Sequence, residues 1–139
     1  MTERLDPRGV RFAATVTTVV LAVVLLTGSG VLAALQALVF AIPVVAGMRW
    51  SPYGALFQTL LAPRLGPPRE REDAAPVRFS QAVGLVFAVL AAIGYLSGAT
   101  VLGIVATAVT LAAAFLNAAF GFCLGCEVYG LLGRVRAAR

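Results

Sequence analysis

The sequence predicts an all-α membrane protein with four transmembrane helices, arranged as two repeated helical hairpins that are each followed by a short interfacial helix. Three observations carry that prediction. Residues 12–48 and 79–126 contain no Asp, Glu, Lys or Arg, so each run has room for two crossings of roughly 20 apolar residues. Each run is interrupted by small, turn-forming residues, "TGSG" at 27–30 and "SGAT" at 97–100, which let a chain reverse at a membrane surface. The 139 residues are 60% hydrophobic and 12% charged, with a mean hydropathy of +0.95, well outside the soluble range.

The elements follow in order. A first helix is expected over 12–27. "VLAA" after it has the look of a signal-peptide cleavage site, but Glu3 and Asp6 dilute the basic N-terminal region and the next span follows almost at once, so the segment reads as a span. The second helix covers 31–47. Ser51 then suits an N-cap and Pro52 a first helical position, and Tyr53, Leu56, Phe57, Leu60 and Leu61 form a helical apolar stripe. This gives a short interfacial helix with Trp50 and Tyr53 at headgroup depth. Residues 62–76, "APRLGPPREREDAAP", are rich in proline and mixed charge and read as a solvated linker. The third and fourth helices are expected over 81–96 and 100–120. Membrane-spanning strands are excluded, because the runs are continuously apolar rather than alternating. The chain is thus a single membrane domain: hairpin one over 12–48, interfacial helix and linker over 50–76, hairpin two over 79–121 and an interfacial tail over 122–139.

Charge sets the orientation. All eleven basic residues are arginines, at the N-terminus (Arg4, Arg8, Arg11), in the middle segment (Arg49, Arg64, Arg69, Arg71, Arg78) and at the C-terminus (Arg134, Arg136, Arg139), and both short connections are uncharged. With four spans these regions share one face, which the arginine excess marks as cytoplasmic, both termini included. The net charge of +5 then reflects attraction to membrane lipids. Nucleic acid is not an expected partner, since the arginines are split among membrane flanks without a binding module.

A repeat organises the chain. "VRFAATV" at 10–16 returns as "VRFSQAV" at 77–83, and the exits "SPYGALF" at 51–57 and "EVYGLLG" at 127–133 share a Tyr-Gly pair. Two copies entering from the same face are related by an axis along the membrane normal. Aligned on Tyr-Gly, Glu127 falls where Ser51 stands and Cys126 where Trp50 stands.

Both cysteines, Cys123 and Cys126, lie three residues apart at the end of the last apolar run. One helix over 100–134 would be about 50 Å long, more than a bilayer core needs, so a break is expected near Gly121 or Gly125. The start of a new helix favours thiolate, the reactive form. Three readings stay open for the pair: thiol or sulfur-transfer chemistry, small apolar packing residues, and a shared metal. The last lacks ligands, since two thiolates and Glu127 fall short of four and the chain has no histidine; no metal or other cofactor is expected. Glu127 is either a base for the thiols or a helix cap. Asn117 and Gln36 are amides inside spans, suited to interhelical hydrogen bonds or to lining a pathway. Small residues at Gly84, Ala88, Ala92, Ala114, Ala118, Gly121 and Gly125 suit close helix packing and leave room for a homo-oligomer. No nucleophile elbow, phosphate loop or intramembrane charge points to a hydrolase, nucleotide enzyme or proton pump.

The opening "LDPRGVRFAA", the middle "SPYGALF" with "RLGPP", then "VRFSQAVGLVFA" and the closing "FLNAAFGFCLGCEVY" resemble the small bacterial integral membrane proteins grouped as domain of unknown function 4395. The resemblance covers nearly the whole chain. It implies a bacterial inner-membrane location, makes Cys123 and Cys126 the family's CxxC, and implies a thioredoxin-like or rhodanese-type protein as partner. The expected function is a membrane-embedded thiol/disulfide or sulfane-sulfur relay using a cytoplasm-facing CxxC pair. The alternatives are a transporter or channel component for a small sulfur species and a structural subunit of a membrane complex.

Overall fold

The computed structural model describes residues 4–5, 7–66 and 72–137. It is helical almost throughout. In chain order the elements are β1 (Arg4–Leu5), α1 (Pro7–Thr27), α2 (Gly30–Ala46), a 3-10 turn (Met48–Trp50), α3 (Pro52–Leu60), α4 (Ala62–Leu65), β2 (Glu72–Asp73), α5 (Ala74–Ser97), α6 (Thr100–Phe120) and α7 (Leu124–Ala137). Three of these, α1, α5 and α6, are long and apolar enough to cross a membrane, while α2 is apolar but has 17 residues.

Two helices start earlier than hydropathy predicts. α1 begins at Pro7 rather than near residue 12, and α5 at Ala74 rather than near 81. Proline is tolerated in a first turn, where its missing N–H has no helical partner. These turns therefore run on through Pro7 and Pro76 into the arginine-bearing segments. The linker is also less open than expected. α4 occupies its start, Arg8 Nη2 donates to Gly66 O over 2.8 Å, and a two-residue antiparallel ladder pairs Arg4 with Asp73 and Leu5 with Glu72. Residues 67–71, which carry Arg69, Glu70 and Arg71, lie outside the described residues.

The helices exchange neighbours between hairpins. α2 packs along α5, α1 along α6, and α5 along α6, whereas α1 and α2 touch only lightly. The core is built from small or slender side chains, Val24, Ala33, Ala91, Ala92 and Ala106, with a second cluster of Ala37, Phe40 and Ala88. Large apolar side chains point outward instead: Leu26 is 86% exposed, Val45 81% and Val101 76%. That inversion suits lipid, since small residues let backbones approach while lipid tails cover large ones. The closest approach is Gly94 of α5 on Gly103 of α6, where a Cβ would enter the facing backbone.

One end of the bundle carries Arg11 and Arg78, each set against a helix end. Arg11, on α1, donates from Nη2 to Ala118 O at 3.1 Å and Ala119 O at 3.5 Å, at the last turn of α6. Arg78, on α5, donates from Nε to Val44 O at 3.0 Å, and from Nη2 to the same oxygen, at the last turn of α2. A cation on the terminal carbonyls meets both their hydrogen-bond deficit and the negative end of the helix dipole. The opposite end holds the two turns, at Gly28 and Gly98, which contain no charged residue.

The exit helices fold back on the bundle at the arginine end. α3 packs on α1, with Phe57 buried and its ring 5.8 Å from that of Phe12. α7 packs on α5, with the Tyr129 ring 5.6 Å from that of Phe79. Of the apolar stripe predicted for α3, Phe57 and Tyr53 face the bundle, while Leu56 and Leu60 are exposed. Trp50 is exposed too, with the Arg49 guanidinium 5.5 Å from its ring centre.

Candidate active site

The chain stops being one helix at Gly121. This residue has φ 67° and ψ 16°, a left-handed conformation that costs other residues about 1–2 kcal/mol. Its N–H returns to Asn117 O at 3.0 Å, and that of Phe122 to Leu116 O at 3.3 Å. The glycine stop leaves Cys123 immediately before the first residue of α7.

Cys123 acts as the cap of that helix. Its carbonyl accepts the N–H of Glu127 at 3.0 Å, and its Sγ accepts the N–H of Cys126 at 3.1 Å. The two sulfurs are joined as a disulfide, with the Cα atoms 5.1 Å apart. Both cysteines are half-buried and Glu127 is exposed. The alignment on Tyr-Gly pairs is corrected here by one helical turn. Ser51 caps α3 by accepting the Gly54 N–H on Oγ at 3.3 Å, so the residue that corresponds to Ser51 in role is Cys123, not Glu127. The aromatic packing agrees, since Phe57 and Tyr129 each lie six residues beyond their cap and each meets the Phe of a "VRF" segment. Glu127 sits in the first turn of α7, where a carboxylate complements the helix dipole without capping.

Close packing holds α7 in place. At Gly125 a Cβ would come within 2.6 Å of Ser80 Cβ and Oγ, so the absence of a side chain lets the first turn of α7 lie directly on α5. The cysteines are fixed to the bundle by that contact.

A cavity of about 740 Å³ opens between α1, α2, α3, α5, α6 and α7, and Cys123 is part of its wall. Its lining is mostly alanine, glycine, valine and phenylalanine. The Asn117 amide, one turn before the helix stop, faces it and makes no hydrogen bond among the described residues. Gln36, by contrast, makes an interhelical bond: it is buried and its Oε1 accepts the Tyr53 hydroxyl at 2.7 Å, while its Nε2 has no partner among the described residues. Tyr53 also lines the cavity. Burial pushes the Tyr53 phenol above its ordinary range, which keeps it a protonated donor. The cavity was not foreseen from sequence, because its wall residues are the same small side chains that packing would use.

Residues 5–134 match the family model described as "Domain of unknown function (DUF4395)". The chain belongs to the DUF4395 family. No curated protein and no solved structure matches this DUF4395 protein. Among the described residues no three of His, Cys, Asp and Glu converge on one point.

Proposed function

We propose that this protein is a membrane-embedded thiol/disulfide or sulfane-sulfur relay whose working pair is Cys123 and Cys126. The observation that carries the reading is the hydrogen bond from the Cys126 N–H to Cys123 Sγ at the start of α7. In the reduced pair the same N–H and the positive end of the helix favour negative charge on Cys123. Cys123 is therefore the sulfur that attacks and that forms the mixed species, and Cys126 resolves it.

The exchange is balanced in both directions. The Cys123 thiolate attacks a partner disulfide, forming a mixed disulfide and releasing one partner thiolate; Cys126 then attacks Cys123 Sγ, closing the intramolecular S–S bond and releasing the second. The partner gains two electrons. In reverse, a partner dithiol opens the Cys123–Cys126 disulfide and leaves both cysteines reduced. With a persulfide partner, the Cys123 thiolate attacks the outer sulfur, forming a Cys123 persulfide and releasing the partner thiolate; the Cys126 thiolate then attacks Cys123 Sγ, closing the S–S bond and releasing hydrosulfide.

The placement that goes with this reading has α2 as a fourth span. Its 17 residues reach about 26 Å, near the lower end of spanning lengths. The two hairpins are then repeats: Arg11 and Arg78 cap the last turn of the other hairpin's second helix, and Ser51 and Cys123 cap the exit helices. The arginine-bearing end faces the cytoplasm of a bacterial inner membrane, with both termini and the CxxC there, within reach of a thioredoxin-like or rhodanese-type partner.

The test is partner trapping. A Cys126→Ser variant expressed in cells should accumulate a mixed disulfide through Cys123, seen as a reducible higher-mass band, and Cys123→Ser should not. Failure of both variants to trap any protein contradicts the relay.

A further inference from the structure

A relay that cycles must empty or refill its pair, and the chain has only these two cysteines, so no second pair within it exchanges electrons with them. We infer that the cavity beside Cys123 binds a lipid-soluble quinone, which reoxidises the pair after a partner dithiol has reduced it. This rests on the relay reading above and names its electron acceptor.

Four features of the cavity point to that class of ligand. Its volume of about 740 Å³ lies in the range of small-molecule sites, about 300–1,000 Å³. Most of its wall is apolar and is built in part by α1, α5 and α6, the helices long and apolar enough to cross a membrane, which suits a lipid-soluble occupant. Its polar side chains can meet a ring with two carbonyls: the amides of Asn117, Gln58 and Gln81 line it without hydrogen-bond partners among the described residues, and Arg49 lines it as well. No carboxylate lines it among the described residues. The fourth feature is chemical. Cys123 forms part of the wall, so a bound ring lies beside the sulfur that carries the electrons.

The step balances without another reagent. The Cys123 thiolate adds to a ring carbon, and the electron pair displaced from the ring C=C moves onto a carbonyl oxygen. Cys126 thiolate then attacks Cys123 Sγ; the S–S bond forms, the S–C bond breaks and its electrons stay with the ring. Two thiols become one disulfide, and the quinone leaves as hydroquinone carrying the two electrons and the two protons.

The test uses the full chain in lipid nanodiscs, reduced and stripped of reductant under anaerobic conditions. The probe is a benzoquinone substituted at all four ring carbons and bearing a decyl tail, which forms no stable thiol adduct. One quinone reduced per disulfide formed is expected. An Ala113→Phe variant, which fills the cavity wall, should reduce quinone about tenfold or more slowly relative to its own rate of exchange with a small dithiol. An azido derivative of the same quinone should label residues 113–117 in the unaltered protein, which keeps the inference testable if the variant does not fold. Dithiol exchange without quinone reduction, an unchanged ratio in Ala113→Phe, or labelling displaced equally by a decyl lipid lacking the ring each overturns the quinone site and leaves the relay standing. Absence of dithiol exchange overturns the relay, and this inference falls with it.

Discussion

The N–H of Cys126 donates to Sγ of Cys123 across 3.1 Å, in the first turn of a helix that begins one residue after Cys123. The proposed relay makes the sulfur in that position the better nucleophile of the two. With each cysteine studied alone, Cys123 in Cys126→Ser is expected to alkylate with iodoacetamide roughly two- to fivefold faster at neutral pH than Cys126 in Cys123→Ser, from a helix-end effect of about 0.3–1 kcal/mol. Stopped-time alkylation read by mass spectrometry measures it, and faster reaction at Cys126 would reverse the assignment.

Arg11 and Arg78 perform the same task at the ends of α6 and α2. Replacing either by glutamine is expected to lower stability by about 1–2 kcal/mol, because terminal carbonyls lose a charged donor. Thermal unfolding in one detergent should give similar losses for the two variants. Only Arg11→Gln should also slow thiol exchange, since it loosens the helix end that leads into Cys123. A large effect from one arginine and none from the other would speak against two equivalent caps.

The crossing of Gly94 on Gly103 allows no side chain. Gly94→Ala should cost about 1–3 kcal/mol by overpacking, against a gain of at most about 1 kcal/mol from helix propensity. The melting temperature in detergent should therefore fall. A rise would contradict the close crossing of α5 and α6.

Much of the bundle was legible in the sequence because charge and apolarity are strong signals in a membrane chain. The turns at Gly28 and Gly98 and the break at Gly121 fall where small residues interrupt the runs. The starts of α1 and α5 were not legible, since hydropathy ends at the membrane surface while the helices continue through Pro7 and Pro76. The slip of one turn between the exits has a plain cause. Tyr-Gly is a visible identity, whereas a thiol standing in for a serine cap is not. The cavity was hidden for another reason: it joins residues of six helices, and alanine and glycine facing a void read the same as alanine and glycine in contact.

Tyr53 and Gln36 link α3 to α2 by a hydrogen bond of 2.7 Å. Tyr53→Phe leaves both ends of the buried Gln36 amide unpaired and should cost about 1–3 kcal/mol. A pH dependence follows from the direction of the shift. Because burial raises the folded-state pKa of Tyr53, its contribution is fully present below the unfolded value of about 10 and is lost as pH rises through the folded one. The difference in melting temperature between the original protein and Tyr53→Phe should thus be constant from neutral pH to about 9 and shrink only above that. A difference that already shrinks near pH 8 would contradict the buried, protonated phenol.

The central claim is that Cys123 and Cys126 cycle between thiol and disulfide or persulfide on the cytoplasmic face. The most direct measurement traps thiols with acid in intact cells, then labels right-side-out and inverted membrane vesicles with an impermeant maleimide before and after reduction. The account predicts a mixture of oxidised and reduced pairs that shifts with cellular thiol poise, with labelling in inverted vesicles only. Cysteines that stay in one redox state under every condition, or that label from the outer face, would contradict it.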